Sequence, residues 1–255
     1  MAWTQTIHRK TEDEIAAMAA AGKDLAAVFL ELRKGHVKPG VTTKEIDTLV
    51  ESAIRDKGNI PSFKGYHGFP GSICISINEE VVHGIPGDRV IQDGDIVGID
   101  IGLIKDGWHA DSAETFLVGE VSADAVELCE TTLAALMDGI EAAVPGNRIS
   151  DIGKAIERRG REKGYGIVEE LVGHGIGREL HEDPQVPNYE CFTMPNPKLE
   201  AGMVLALEPM FNLGGKTVRT LPDQWTFVTT DGLRSAHYEH TVALTKDGPV
   251  VLTAR

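Results

Sequence analysis

The stretch "GIDIGLIKDGWHAD", residues 98–111, decides the fold. Ile99, Ile101 and Leu103 alternate with Asp100 and Gly102, the period of a strand with one apolar face. "KDG" at 105–107 is a hairpin turn signal, and the run from Trp108 to Val118 reads as the returning strand. Asp100 and Asp111 therefore share one face of an antiparallel pair. A four-residue loop would set them directly opposite one another, and a two-residue Asp-Gly loop would make them diagonal neighbours. Two carboxylates this close drive one pKa upward unless a cation lies between them, and a metal ion is the simplest such cation.

Outward from the hairpin, the chain reads as two similar halves. Thr11 with Glu14 forms a capping box, and a long Ala/Leu helix is expected from there to Gly35. Thr42 with Glu45 caps a second helix ending near residues 56–58. Past the hairpin the order repeats, with a long helix in "SADAVELCETTLAALMDGIEAAV" and then a turn and helix in "PGNRISDIGKAIERRGREKG". The latter matches "PGVTTKEIDTLVESAIRDKG" at a displacement of 106 residues, sharing Pro-Gly, Lys-Gly, Ile46/Ile152 and Glu51/Glu157. A second match, displaced by 108, sets "DGDIVGIDI" (93–101) against "EAGMVLALEP" (200–209), with Gly94 on Gly202 and Asp100 on Glu208. Two matches in the same order point to related α+β halves, near 1–120 and 121–255, each placing one acid at the same point of an apolar strand.

The second half supplies further donors. Glu208 lies in "MVLALEPM", with Pro209 closing the strand behind it. "WTFVTTDGLRSAHYEHTVAL" reads as another hairpin about Asp231-Gly232, with Glu239 embedded after it. His174 stands between glycines in "LVGHGIGRELHEDP", and His181 follows seven residues on. Four acids with one or two imidazoles make an oxygen-rich, moderately hard donor set. It suits Mn²⁺, Fe²⁺ or Co²⁺, with Zn²⁺ possible, better than a thiolate zinc or copper site. Four negative charges match two divalent ions, a pair that can bridge a hydroxide and polarise a carbonyl for hydrolysis.

Composition bounds the alternatives. At 255 residues, with 42% hydrophobic and 25% charged residues, the chain is an ordinary globular protein. A net charge of −14 argues against a nucleic-acid grip through a broad basic surface. No uncharged apolar run is long enough to span a membrane, and the first residues lack a secretory pattern, so a cytoplasmic protein is expected. Cys74, Cys129 and Cys191 are odd in number and lack CxxC spacing, which reads as reduced thiols.

The ordered set Asp100, Asp111, His174, Glu208 and Glu239, in the contexts "GIDIGLIKDGWHAD", "GHGIGRELHEDP", "LALEPM" and "HYEHT", closely resembles the type I methionine aminopeptidases. The likeness runs from "TEDEIAAMAAAG" to the end. It implies a pita-bread α/β fold: a single catalytic domain over 1–255 whose two pseudo-symmetric halves surround a central antiparallel sheet. The implied reaction removes the initiator methionine from nascent polypeptides whose second residue is small. By the same resemblance, Asp100 holds one metal, His174 and Glu208 the other, and Asp111 and Glu239 bridge the pair. His83, in "EEVVHGIPGD", matches the histidine near the scissile amide, and His181 the one that steadies the tetrahedral intermediate. Glu208 is the implied proton shuttle. The methionine pocket maps onto Phe63, Tyr66, Phe69, Cys74, Leu180 and Trp225. Common bacterial members would have Cys, Tyr and Phe at 63, 69 and 180, but all three differences stay apolar or aromatic. Nascent chains at the ribosome are the implied partners, and a monomer is expected. Only 33 residues separate the His174 and Glu208 motifs, which leaves no room for the type II helical insertion.

Overall fold

Thr11 and Thr42 open the first two helices as their sequences require. The computed structural model describes residues 6–255; Met1–Gln5, part of the segment read for a leader, lie outside the described residues. In α1 (Glu12–Leu32) the Glu14 carboxylate accepts from the Thr11 N–H at 2.9 Å, while Thr11 Oγ1 accepts from the Glu14 N–H. Thr42 and Glu45 repeat this reciprocal cap at α2 (Thr43–Asp56). α1 stops at Leu32 rather than running to Gly35, which sits in the following turn with φ +95°. In the second half, α3 (Ala123–Ala142) is followed by α4 (Ile149–Lys163), which ends at Gly164 with φ +74°. Ile46 and Ile152 are both buried, and Glu51 and Glu157 each pair with an arginine one turn on, Arg55 and Arg161.

The strands follow in order as β1 (Ile60–Pro61), β2 (Cys74–Ile77), β3 (Glu80–Val82), β4 (Ile96–Lys105), β5 (Trp108–Leu117), β6 (Gly166–Ile167), β7 (Gly173–Gly175) and β8 (Glu182–Val186). After them come β9 (Val204–Leu207), β10 (Met210–Asn212), β11 (Val218–Thr220), β12 (Phe227–Thr229), β13 (Ser235–His237), β14 (Glu239–Thr245) and β15 (Gly248–Val251). Among the described residues, nine form one antiparallel sheet in the order β1-β4-β5-β14-β9-β7-β8, with β2 also on β4 and β15 on β14. First-half strands lie at one end and second-half strands at the other, joined where β5 meets β14. Ile99, Ile101 and Leu103 of β4 cluster with the apolar faces of α1 and α2. Leu205 and Leu207 of β9 do the same with α3 and α4. Each such side chain, wholly buried, contributes roughly 1.5–3 kcal/mol. That apolar face offsets the cost of the acids on the other.

The β4–β5 register resolves the hairpin. Lys105 pairs with Trp108 across a two-residue Asp106-Gly107 loop, both with positive φ, so Asp100 faces Ala113 and Asp111 faces Gly102. The two acids are diagonal neighbours. The hairpin expected about Asp231-Gly232 does not form. β12 pairs with β11 and β3, while β13 pairs with β10. The Asp231 carboxylate accepts from the N–H groups of Leu233 (3.0 Å) and Gly215 (2.8 Å), and Ser235 donates to the Asn78 carbonyl. These bonds turn the chain into a second sheet instead of folding it back on itself.

Candidate metal centre

Five donors reach one spot because five adjacent strands deliver them. Asp100 and Asp111 come from β4 and β5, Glu239 begins β14, Glu208 follows β9, and His174 is the middle residue of β7. His240 pairs with Leu207, so one step further along the same register Glu239 meets Glu208. His174 pairs with Ala206, two residues from Glu208. Gly94 and Gly202, matched in the repeat, both take positive φ (+87° and +96°) in the turns that launch β4 and β9. The equivalence of Asp100 and Glu208 therefore rests on equivalent backbone.

The β5–β14 joint has only two registered pairs, and side chains reinforce it. Thr241 Oγ1 donates to the Asp111 carbonyl (2.7 Å) and accepts from its N–H (3.0 Å), while Ser112 Oγ donates to the Glu239 carbonyl at 2.6 Å. Arg255 ties the same seam, donating to Glu114, to Ser112 and to the Ala113 carbonyl. The backbones carrying Asp111 and Glu239 are thus fixed, while their carboxylates are left for something else.

That remainder has a distinct chemistry. Donor atoms of Asp111, His174 and Glu239 all lie within 4.8 Å of one another, and His174 Nε2 is 3.6 Å from Glu208 Oε1. Asp100 Oδ1, Asp111 Oδ1 and Glu239 Oε1 are enclosed and have no hydrogen-bond partner. His174 Nδ1 donates to the Gly175 carbonyl at 2.9 Å, which leaves its Nε2 lone pair aimed at the acids. Burial holds the His174 imidazole neutral, its pKa pushed down to about 3. Burial, then bonding to its neighbours, puts the Asp111 carboxyl at about 7, and Asp100, Glu208 and Glu239 stand well above the usual carboxylate range through burial and mutual repulsion. Orphaned buried carboxylate oxygens beside a neutral imidazole lone pair fit divalent cations.

Beside the acids opens a cavity. Its lining contains all thirteen residues singled out in the sequence: the five donors, His83, His181, Phe63, Tyr66, Phe69, Cys74, Leu180 and Trp225. Phe69 and Trp225 meet edge to face at 5.1 Å. Tyr66 Oη and His181 Nδ1 share a 2.7 Å hydrogen bond, and the His181 ring lies 4.3 Å from that of His174. His83 takes a left-handed backbone (φ +59°), and burial lowers its pKa to about 4. His67 is exposed and stays outside the lining, and His109 is a buried structural residue bonded to Ser62 Oγ.

Two features were missed from the sequence. His237 is buried, with Nε2 unpartnered and 4.0 Å from Glu208 Oε2. Its position two residues before Glu239 was the available signal. Lys10 forms a 2.6 Å ion pair with Glu182, both side chains under 8% exposed. Glu182 also accepts from the N–H groups of Arg178 and Glu179, so the pair anchors the turn that carries Leu180 and His181.

A carboxylate–histidine cluster built on paired α+β halves defines a metallohydrolase. The model of metallopeptidase family M24 matches residues 16–246. Methionine aminopeptidase 1 of Bacillus subtilis is 51% identical over 246 residues, covering 96% of this chain and 98% of that protein. The crystal structure of the Thermotoga maritima methionine aminopeptidase superposes with a TM-score of 0.94 at 41% identity, covering 98% of this chain and all of that one. Prolidase from Pyrococcus furiosus is more distant, with a TM-score of 0.78, 25% identity, and 65% of its chain covered. The chain belongs to metallopeptidase family M24 and, within it, to the type I methionine aminopeptidases, with their pita-bread fold. No helix among the described residues is long and apolar enough to cross a membrane.

Proposed function

We propose that this chain, acting as one catalytic unit, removes the N-terminal methionine from nascent polypeptides whose second residue is small, using two divalent ions. The observation that carries the reading is the set of orphaned carboxylate oxygens on residues that line a cavity with apolar and aromatic walls. Asp100 would hold one ion and His174 with Glu208 the other, while Asp111 and Glu239 would bridge them. Fe²⁺, Mn²⁺ or Co²⁺ suits these donors best, with Zn²⁺ a further choice. When bound, the ions would supply a water activated for attack and a polarised scissile carbonyl.

The remaining work falls to the chain's own groups. Phe63, Tyr66, Phe69, Cys74, Leu180 and Trp225 offer a flexible thioether side chain an apolar socket. Glu208, ionised when it holds an ion, would take the proton of the attacking water and pass it to the departing amine. His83 is neutral in the working range and bonds the scissile amide without bringing charge into the site. Tyr66 donates to His181 Nδ1, which keeps a proton on Nε2 to meet the carbonyl oxygen as it becomes anionic. The setting is the cytoplasm, with chains emerging from the ribosome as partners, no direct nucleic-acid contact, and a monomeric enzyme.

The test is release of free methionine from Met-Ala-Ser by metal-stripped protein titrated separately with Mn²⁺, Fe²⁺, Co²⁺ and Zn²⁺. Met-Lys-Ser and Ala-Pro-Ala are run beside it. Metal-dependent cleavage of Met-Ala-Ser alone is expected. Cleavage of Ala-Pro-Ala in its place would overturn the pocket assignment, and equal cleavage of Met-Lys-Ser would overturn the small-residue rule.

A further inference from the structure

Gly102 stands in the middle of β4, where glycine weakens a strand, and its backbone is not in the left-handed region that would call for one. The reason for it lies in what its missing side chain would meet. A Cβ on Gly102 would come 2.7 Å from Phe63 Cε1, 3.2 Å from Phe63 Cζ and 2.8 Å from Ser62 Cβ, the first and last closer than real Cβ contacts allow. The Phe63 ring therefore lies close against bare backbone, on the strand face that also carries Asp100, at the residue that pairs with Asp111.

Phe63 has little freedom to withdraw. Pro61 pairs with Leu103, the Ser62 N–H donates to the Gly102 carbonyl at 2.9 Å, and Ser62 Oγ is tied to His109 Nδ1 at 2.9 Å. The backbone on either side of Gly102 and just before Phe63 is thus pinned from two directions. Phe63 belongs to the buried apolar cluster of the pocket wall, with Phe69, Cys74 and Leu180 among its members. The unfilled space it can enter is the cavity.

We infer that Gly102 is a specificity-determining position: by leaving room for the Phe63 ring, it sets the width of the cavity that receives the substrate's first side chain. It acts through Phe63 and touches no substrate itself. The inference rests on the proposed methionine-removing activity and deepens it. Gly102→Ala pushes the ring into the cavity, narrowing it for methionine while leaving the donors where they are. Phe63→Cys removes the ring, the nearer of the two obstacles to a side chain at 102, and leaves the Ser62 Cβ at 2.8 Å as the other.

The experiment is a double-mutant cycle on the Mn²⁺-loaded enzyme, reading KM and kcat for Met-Ala-Ser, with calorimetric binding of free methionine and Mn²⁺ as readouts independent of turnover. Gly102→Ala in the natural background should raise KM and weaken methionine binding at least about tenfold with kcat little changed and Mn²⁺ affinity within about threefold. In the Phe63→Cys background the same substitution should cost less than about threefold. Equal penalties in the two backgrounds, or an unchanged KM, would overturn the inference. So would loss of Mn²⁺ binding, since the substitution would then act on the acids. If Gly102→Ala alone does not fold, the double variant must be the better folded of the two in denaturant melts; a double variant no more stable than Gly102→Ala contradicts Phe63 as an obstacle. Failure of the natural enzyme to release methionine would instead count against the proposed function itself.

Discussion

Metal binding at this site must compete with protons, and the structure says which ones. A donor binds a cation only in its deprotonated form, so a carboxyl with a raised pKa surrenders affinity as the pH falls. Asp111 titrates at about 7 in the metal-free chain, chiefly through burial. Raising the pH from about 6 to about 8 takes it from roughly nine-tenths protonated to roughly nine-tenths ionised, which alone tightens binding about tenfold. Asp100, Glu208 and Glu239 also stand well above the usual carboxylate range through burial and mutual repulsion, which acts in the same direction. His174 contributes nothing, because its pKa of about 3 leaves it neutral across the range; an ordinary histidine near 6.5 would have added about fourfold. The sign for stability follows the same logic. Asp111's folded pKa exceeds the ordinary 3.8, so it favours the metal-free fold below that value, and this contribution is lost as the pH rises through 7. The lowered pKa values of His83, His174 and His237 run the opposite way below about 6.5, so thermal melts of metal-free protein alone mix the two trends. Mn²⁺ affinity by calorimetry separates them, measured across this range in buffers of different ionisation enthalpy to count released protons. An affinity that is flat between about pH 6 and about pH 8, with no proton release, would refute the reasoning.

Glu208→Gln should lower kcat by at least about 10²-fold, the scale of losing an acid–base group, and also weaken metal binding; near-normal turnover would remove Glu208 from proton transfer. His83→Ala should depress kcat with metal content intact, as metal analysis of the purified variant would show, and loss of metal would make it a ligand instead. Lys10→Met strands the Glu182 carboxylate in a buried site and should cost about 3–5 kcal/mol of stability in denaturant melts. It should also raise KM by loosening the turn that holds His181, and a variant as stable as the natural protein would show the pair to be dispensable.

What the sequence made legible was local. The two capping boxes, the β4–β5 hairpin and the match of Asp100 with Glu208 all depend on residues within a few positions of each other or on a repeated pattern. The loop length at Asp106-Gly107 was open because both registers keep the acids on one face. The Asp231-Gly232 turn misled because its dipeptide carries a hairpin signal, whereas partners far along the chain, Gly215 and Asn78, decide where the strands go. The Lys10–Glu182 pair spans 172 residues and leaves no mark on either neighbourhood. His237 was hidden beside a stronger neighbour, Glu239. Phe63 read as a departure from a cysteine, and only the empty space over Gly102 gives it a physical reason.

The most direct test of the metal centre is anomalous diffraction from crystals of this protein loaded with Mn²⁺. Two peaks about 3.5–4 Å apart are expected, one within bonding distance of Asp100, the other of His174 and Glu208, with Asp111 and Glu239 reaching both. Peaks elsewhere on the chain, or none among these five side chains in protein that still releases methionine, would contradict the account.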